Sequence, residues 1–103
     1  MAPERDRIVV RIDPEIADLV PGFLANRSRD VDLLRKAVAN SDCEALRHGG
    51  HVLKGVGGGY GFPRISSIGE RLEEAALAGE ERAAAAAVEE LADYLARLQV
   101  EVG

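Results

Sequence analysis

The sequence predicts an all-α fold, an up-and-down antiparallel four-helix bundle with a short extra N-terminal helix. Three observations carry that reading. Apolar residues recur at helical spacing through four long segments. Of the 103 residues, 47% are hydrophobic, but much of that share is alanine and only 4% is aromatic, which suits closely packed helices better than a sandwich or barrel. The connections between segments are short, so successive helices are expected to be antiparallel neighbours. No internal repeat is visible, and the length suits one domain over residues 1–103 with one core.

Residues 1–12 are read as an extended N-terminal arm. Ile8-Val9-Val10 has strand character, yet no other stretch is read as its partner, so the arm is expected to lie against the bundle. Asp13-Pro14 signals a short helix, with Asp13 as N-cap and Pro14 at the first helical position. Ile16, Leu19 and Val20 give it an apolar face, and Pro21-Gly22 is expected to break it. A longer helix then runs from Pro21 to about Ala39, with Val20, Leu24, Val31, Leu34 and Val38 at helical spacing.

Ser41-Asp42-Cys43-Glu44 matches the capping-box pattern and opens the next helix. Leu46, Gly50, Leu53 and Gly57 share one face of it, with Ala45, Gly49, Val52 and Val56 beside them. Glu44, Arg47, His51, Lys54 and Gly58 fall on another edge, a polar and locally cationic stripe. Gly61-Phe62-Pro63 ends this helix and starts the third, where Ile65, Ile68, Leu72 and Ala75 or Ala76 form the buried stripe. Gly79 stops it in the left-handed position that follows many helices. The fourth helix runs from Glu80 to about Leu98, with Ala84, Val88, Leu91, Leu95 and Leu98 inward. Its alanine run is close-packing helix, since alanine is the best helix former.

Composition excludes several function classes. A net charge of −5 argues against a generic nucleic-acid surface, which needs clustered Lys and Arg. A single cysteine, Cys43, forms no internal disulfide and fits a reducing compartment. No apolar run is long enough to span a bilayer and no signal peptide is seen, so a cytoplasmic, monomeric protein off the membrane is expected. The glycine run matches neither Gly-x-x-x-x-Gly-Lys-[Ser/Thr] nor Gly-x-Gly-x-x-Gly, so no nucleotide site is expected. Glu73-Glu74 and Glu89-Glu90 read as solvated carboxylate pairs.

The motif that remains is His51-Val52-Leu53-Lys54-Gly55, followed by Gly61-Phe62 and then Ile65, Ile68, Leu72 and Glu73. It resembles the histidine-containing phosphotransfer (HPt) domain, whose pattern is His-x-Leu-Lys-Gly, a second glycine, and a helix with an apolar stripe ending in Leu-Glu. The motif covers about a quarter of the chain, and the helical layout extends the likeness over nearly all of it. The departure is Gly57-Gly58-Gly59, where many members carry a serine and small residues.

The resemblance implies a phosphorelay intermediate with His51 as phosphoacceptor and Lys54 as the cation that stabilises phosphoryl charge. Arg47, His48, Gly55 and Gly58 are expected at the docking surface, the glycines leaving room for a partner. The donor would be a receiver-domain phospho-aspartate, as in a hybrid sensor histidine kinase, or a kinase directly. The acceptor would be the receiver domain of a response regulator. No cofactor of its own, no resident metal and no autokinase activity are expected, with Mg²⁺ supplied by the partner. Chemically the assignment is apt, because phosphoryl transfer asks mainly for positioning and charge stabilisation, and an ordinary imidazole is substantially neutral at cellular pH. Two other classes stay open at this point. One is a helical docking module that carries no phosphate. The other is a metal-binding bundle using His48 and His51, a weak signal without further ligands.

Overall fold

The computed structural model describes residues 6–103; residues 1–5 of the expected arm lie outside them. Four helices dominate the described chain: α1 (Val20–Ala39), α2 (Cys43–Val56), α3 (Pro63–Leu77) and α4 (Glu81–Arg97). Each packs on the next and α4 returns to α1, closing a ring around one apolar core. No helix among the described residues is long and apolar enough to cross a membrane.

The arm is corrected by the structure. Ile8–Ile12 forms strand β1, and it pairs in parallel with β2 (Leu98–Val102), Ile8 opposite Leu98 and Ile12 opposite Val102. A parallel pair needs a long crossover, and here the whole four-helix ring supplies it. Alternation places Ile12 in the core and packs Ile8, Val10, Leu98 and Val100 against it, while Val9 and Arg11 face outward. Arg11 pairs across the strands with Glu101 at 3.8 Å. The fourth helix therefore stops at Arg97, and Leu98 opens a strand.

The short N-terminal helix is a single 3-10 turn over Ala17–Leu19. Asp13 caps no helix; its Oδ1 accepts from the Glu15 N–H at 2.8 Å, a local turn. The expected break falls before Pro21, not at it. Helix α1 starts at Val20 and carries Pro21 in its first turn, where a missing N–H costs nothing. Its buried residues are Val20, Phe23, Val31, Leu34 and Ala37, with Leu24 and Val38 half-buried beside them.

The capping box is also corrected. Ser41 sits in the left-handed region (φ 51°), and the Asp42 N–H donates to the Ala37 carbonyl at 2.9 Å, so Ser41 closes α1. Asp42 is the N-cap of α2, its Oδ1 accepting from the Ala45 N–H at 3.1 Å. Glu44 turns away to pair with Arg47.

Helix α2 ends at Val56, and a 3-10 turn follows over Gly58–Tyr60. Gly61 (φ 86°) then reverses the chain into Phe62 and Pro63. Tyr60 stacks on Phe23 (ring centroids 4.3 Å apart) and Phe62 stacks on its way into the core at 5.6 Å, tying this turn to α1. Gly79 (φ 71°) ends α3 as expected, with its N–H on the Ala76 carbonyl and that of Glu80 on the Ala75 carbonyl. Charged pairs across helices include Arg35–Glu89 and Arg71–Glu90. Those arginines hold both carboxyls below the ordinary glutamate value.

Candidate functional site

The apolar face of α2 buries Leu46, Gly50 and Leu53 against the core, so the opposite edge must face solvent. His51 stands there in mid-helix with its side chain 67% exposed. The N-terminal end of α2 is capped, and the residues around His51 are held by α3, so the imidazole projects from a fixed base.

One turn on, Lys54 is also on that edge. Between the two, from α3, comes Glu73. Its Oε2 accepts a hydrogen bond from the His51 Nδ1–H at 3.0 Å, and its Oε1 lies 3.7 Å from the Lys54 ammonium. The donor is assigned from chemistry: an ionised carboxylate only accepts, so the proton of this bond is on Nδ1. In the neutral ring, a proton on Nδ1 puts the lone pair on Nε2. Glu73 is only 15% exposed, which keeps its carboxylate poorly screened by salt.

Sequence reasoning placed Glu73 at the end of the motif but read its carboxylate, with that of Glu74, as solvated. The structure separates the two, turning Glu73 across the α2–α3 crossing and leaving Glu74 exposed. A signal was present in Gly69, a small residue in the buried stripe of α3 one turn before Glu73. It marks where another helix comes close.

The remaining candidates divide. Arg47 lies one turn before His51, engaged with Glu44 through Nε–Oε2 (3.2 Å) and Nη2–Oε1 (2.5 Å). That bond raises the guanidinium above its ordinary value and lowers the Glu44 carboxyl. His48 is exposed and points to another side, lining a shallow groove between α1 and α2 with Leu33, Leu34, Gly49 and Val52. Leu33 and Val52 leave that groove apolar and open to solvent. Gly55 is exposed, and nothing lies within 4 Å of a methyl group built on it.

Gly58 departs from the expected position, two helical turns beyond His51. It begins the 3-10 turn, and its N–H donates to Ser66 Oγ at 2.9 Å. The glycine run explains this: three successive residues without Cβ do not sustain α-helix against their own backbone freedom. No group of three or more His, Cys, Asp or Glu among the described residues is placed to hold a metal ion.

Comparison with curated proteins and with solved structures gave no match. A protein-family model described as the Hpt domain matches residues 18–101. That span runs from the 3-10 turn before α1 through α4 and most of β2, with the His51 motif inside it. Modules of this kind are phosphocarriers, not enzymes, and work with receiver domains and histidine kinases. The chain belongs to the Hpt domain family, whose members transfer phosphoryl groups in two-component signalling.

Proposed function

We propose that His51 Nε2 accepts a phosphoryl group from a receiver-domain phospho-aspartate, or from a histidine kinase, and passes it to a response regulator. The observation that carries this reading is the division of the ring: Nδ1 is held by Glu73, and Nε2 is open. In the forward step the Nε2 lone pair attacks phosphorus as the acyl-phosphate O–P bond breaks and the carboxylate leaves. The imidazole ring becomes cationic, its proton stays on Nδ1, and the Glu73 carboxylate faces the new charge. Transfer onward is the reverse, an aspartate attacking phosphorus as the P–N bond breaks.

Lys54 supplies a cation beside the incoming phosphoryl oxygens and releases part of its attraction to Glu73 as they arrive. Arg47 lies close enough along α2 to draw an acidic partner site toward the ring, an effect on encounter more than on affinity. Exposed Gly55 leaves the surface one turn beyond His51 low, and exposed Gly58 adds no side chain to the turn that follows α2. Mg²⁺ and the acidic residues that hold it belong to the partner, and the chain has no autokinase activity of its own. The ring of neighbouring helices with short connections supports an up-and-down antiparallel order. The chain acts as one monomeric module in the cytoplasm.

The test is labelling with phosphoramidate, a small donor that needs no docking surface, followed by mapping of the acid-labile phosphate. The proposal expects phosphohistidine at His51 bearing phosphorus on Nε2. An unlabelled protein, or label on His48, contradicts it and returns the chain to a docking module without phosphate.

A further inference from the structure

Gly50 and Gly69 face each other where α2 crosses α3, and the walls they meet are backbone and the Leu53 Cβ. A methyl group on Gly50 would stand 2.5 Å from the Glu73 nitrogen and 2.8 Å from the Gly69 carbonyl oxygen. One on Gly69 would stand 2.6 Å from the Leu53 Cβ and 2.7 Å from the Gly50 oxygen, and nearer still to the Lys54 nitrogen. Both glycines are buried. Gly49 differs, since its close neighbour is the movable end of the Leu34 side chain.

The atoms in this contact belong to the residues of the site. Gly50 immediately precedes His51, and Lys54 lies one turn after Gly50. Glu73 lies one turn after Gly69. The carboxylate thus starts from a backbone already touching α2, and from there it spans 3.0 Å to His51 Nδ1. Fitting a methyl group into the crossing separates the helices by about 1 Å before ordinary contact is restored. A hydrogen bond of this kind does not survive that much added length.

We propose that the Gly50–Gly69 crossing is a positioning device for the phosphoacceptor. By keeping the α2 and α3 backbones in contact, the two glycines seat the Glu73 carboxylate on Nδ1 and so reserve Nε2 as the reacting nitrogen. This role rests on the assignment of His51 as the acceptor. A crossing that served packing alone would alter stability and leave the imidazole tautomer where it is.

Nitrogen-15 histidine labelling and two-bond proton–nitrogen correlation read the His51 tautomer directly, at a pH of about 8.5 where imidazole is neutral. The variants are Gly50→Ala, Gly69→Ala and Glu73→Asp. The control is Gly22→Ala, at an exposed α1 position with nothing within 4 Å of the added methyl. Wild type and control are expected to show the Nδ1–H form. The three variants are expected to move toward the Nε2–H form that free imidazole side chains prefer, and their phosphoramidate labelling is expected to slow by about fivefold or more.

Glu73→Asp leaves the crossing intact, so the test survives a glycine variant that fails to fold. One methylene shorter, the aspartate must lose the Nδ1 bond if the spacing already uses the reach of glutamate. An Nδ1–H tautomer retained in Glu73→Asp, or in folded Gly69→Ala, overturns the proposal. An unlabelled wild type overturns the acceptor assignment and takes this role with it. A labelled wild type with unmoved tautomers overturns the role of the glycines alone.

Discussion

Replacing Glu73 by glutamine tests the electrostatics of the site, because the amide oxygen still accepts from Nδ1–H while the charge is gone. Phosphorylation at Nε2 turns a neutral ring into a cation 3.0 Å from the carboxylate. At an effective dielectric of about 20, full unit charges at that separation attract by about 5 kcal/mol. With about a third of the ring charge developed in the transition state, the carboxylate contributes roughly 1–2 kcal/mol, or about five- to thirtyfold in rate. Only this increment counts, since the hydrogen bond to the neutral ring is present before and during the reaction.

Glu73→Gln is therefore expected to slow phosphoramidate labelling by about tenfold. Glu73→Ala is expected to be slower again, because the tautomer is no longer held. Loss of the carboxylate also frees Lys54, whose ammonium then attracts the anionic donor and masks part of the effect. The comparison is accordingly made twice, in wild type and in a Lys54→Ala background, as a double-mutant cycle. Labelling of Glu73→Gln at the wild-type rate in both backgrounds would refute the role of the carboxylate.

Other consequences are open to direct measurement. Lys54→Ala is expected to keep the acceptor but transfer several-fold more slowly, and added salt should slow the wild type more than the variant; equal rates with equal salt dependence would remove Lys54 from the site. Ile12 is 1% exposed, so Ile12→Ala is expected to lower stability by about 2–4 kcal/mol in urea unfolding, whereas a loosely attached arm would give almost no change. Burial pushes the Tyr94 phenol above its ordinary value of 10.0, with Arg64 pulling partly the other way. The folded state thus favours the protonated phenol. Its contribution is intact below about pH 10 and is lost as pH rises through the folded value. Tyr94→Phe is expected to flatten that alkaline decline, and an unchanged pH profile would contradict the assignment.

The helices were legible in the sequence because their stripes are local. Leu46-Gly50-Leu53 and Ile65-Ile68-Leu72 each declare a buried face within one segment, and His51 and Lys54 fall opposite by the same periodicity. The strands were not, because pairing β1 with β2 joins residues some ninety positions apart, although Leu98-Gln99-Val100-Glu101-Val102 alternates as a strand does. Helix ends were misplaced where two short polar residues competed. Ser41 and Asp42 both suit an N-cap, and only the chain reversal after α1 decides between them. Glu73 could not be assigned from its own helix, since its partner is on another one. Where those helices cross, a Cβ on either Gly50 or Gly69 would run into the backbone of the other helix.

The role proposed for His51 is to carry a phosphoryl group to a response regulator. Its most direct measurement is transfer from a receiver domain phosphorylated on aspartate, with Mg²⁺ present, to wild type, His51→Gln and His48→Gln, each checked for native helicity. Acid-labile label should appear on wild type and His48→Gln, be absent from His51→Gln, and return to a fresh receiver when one is added. Label retained by His51→Gln, or lost from His48→Gln alone, would contradict the account.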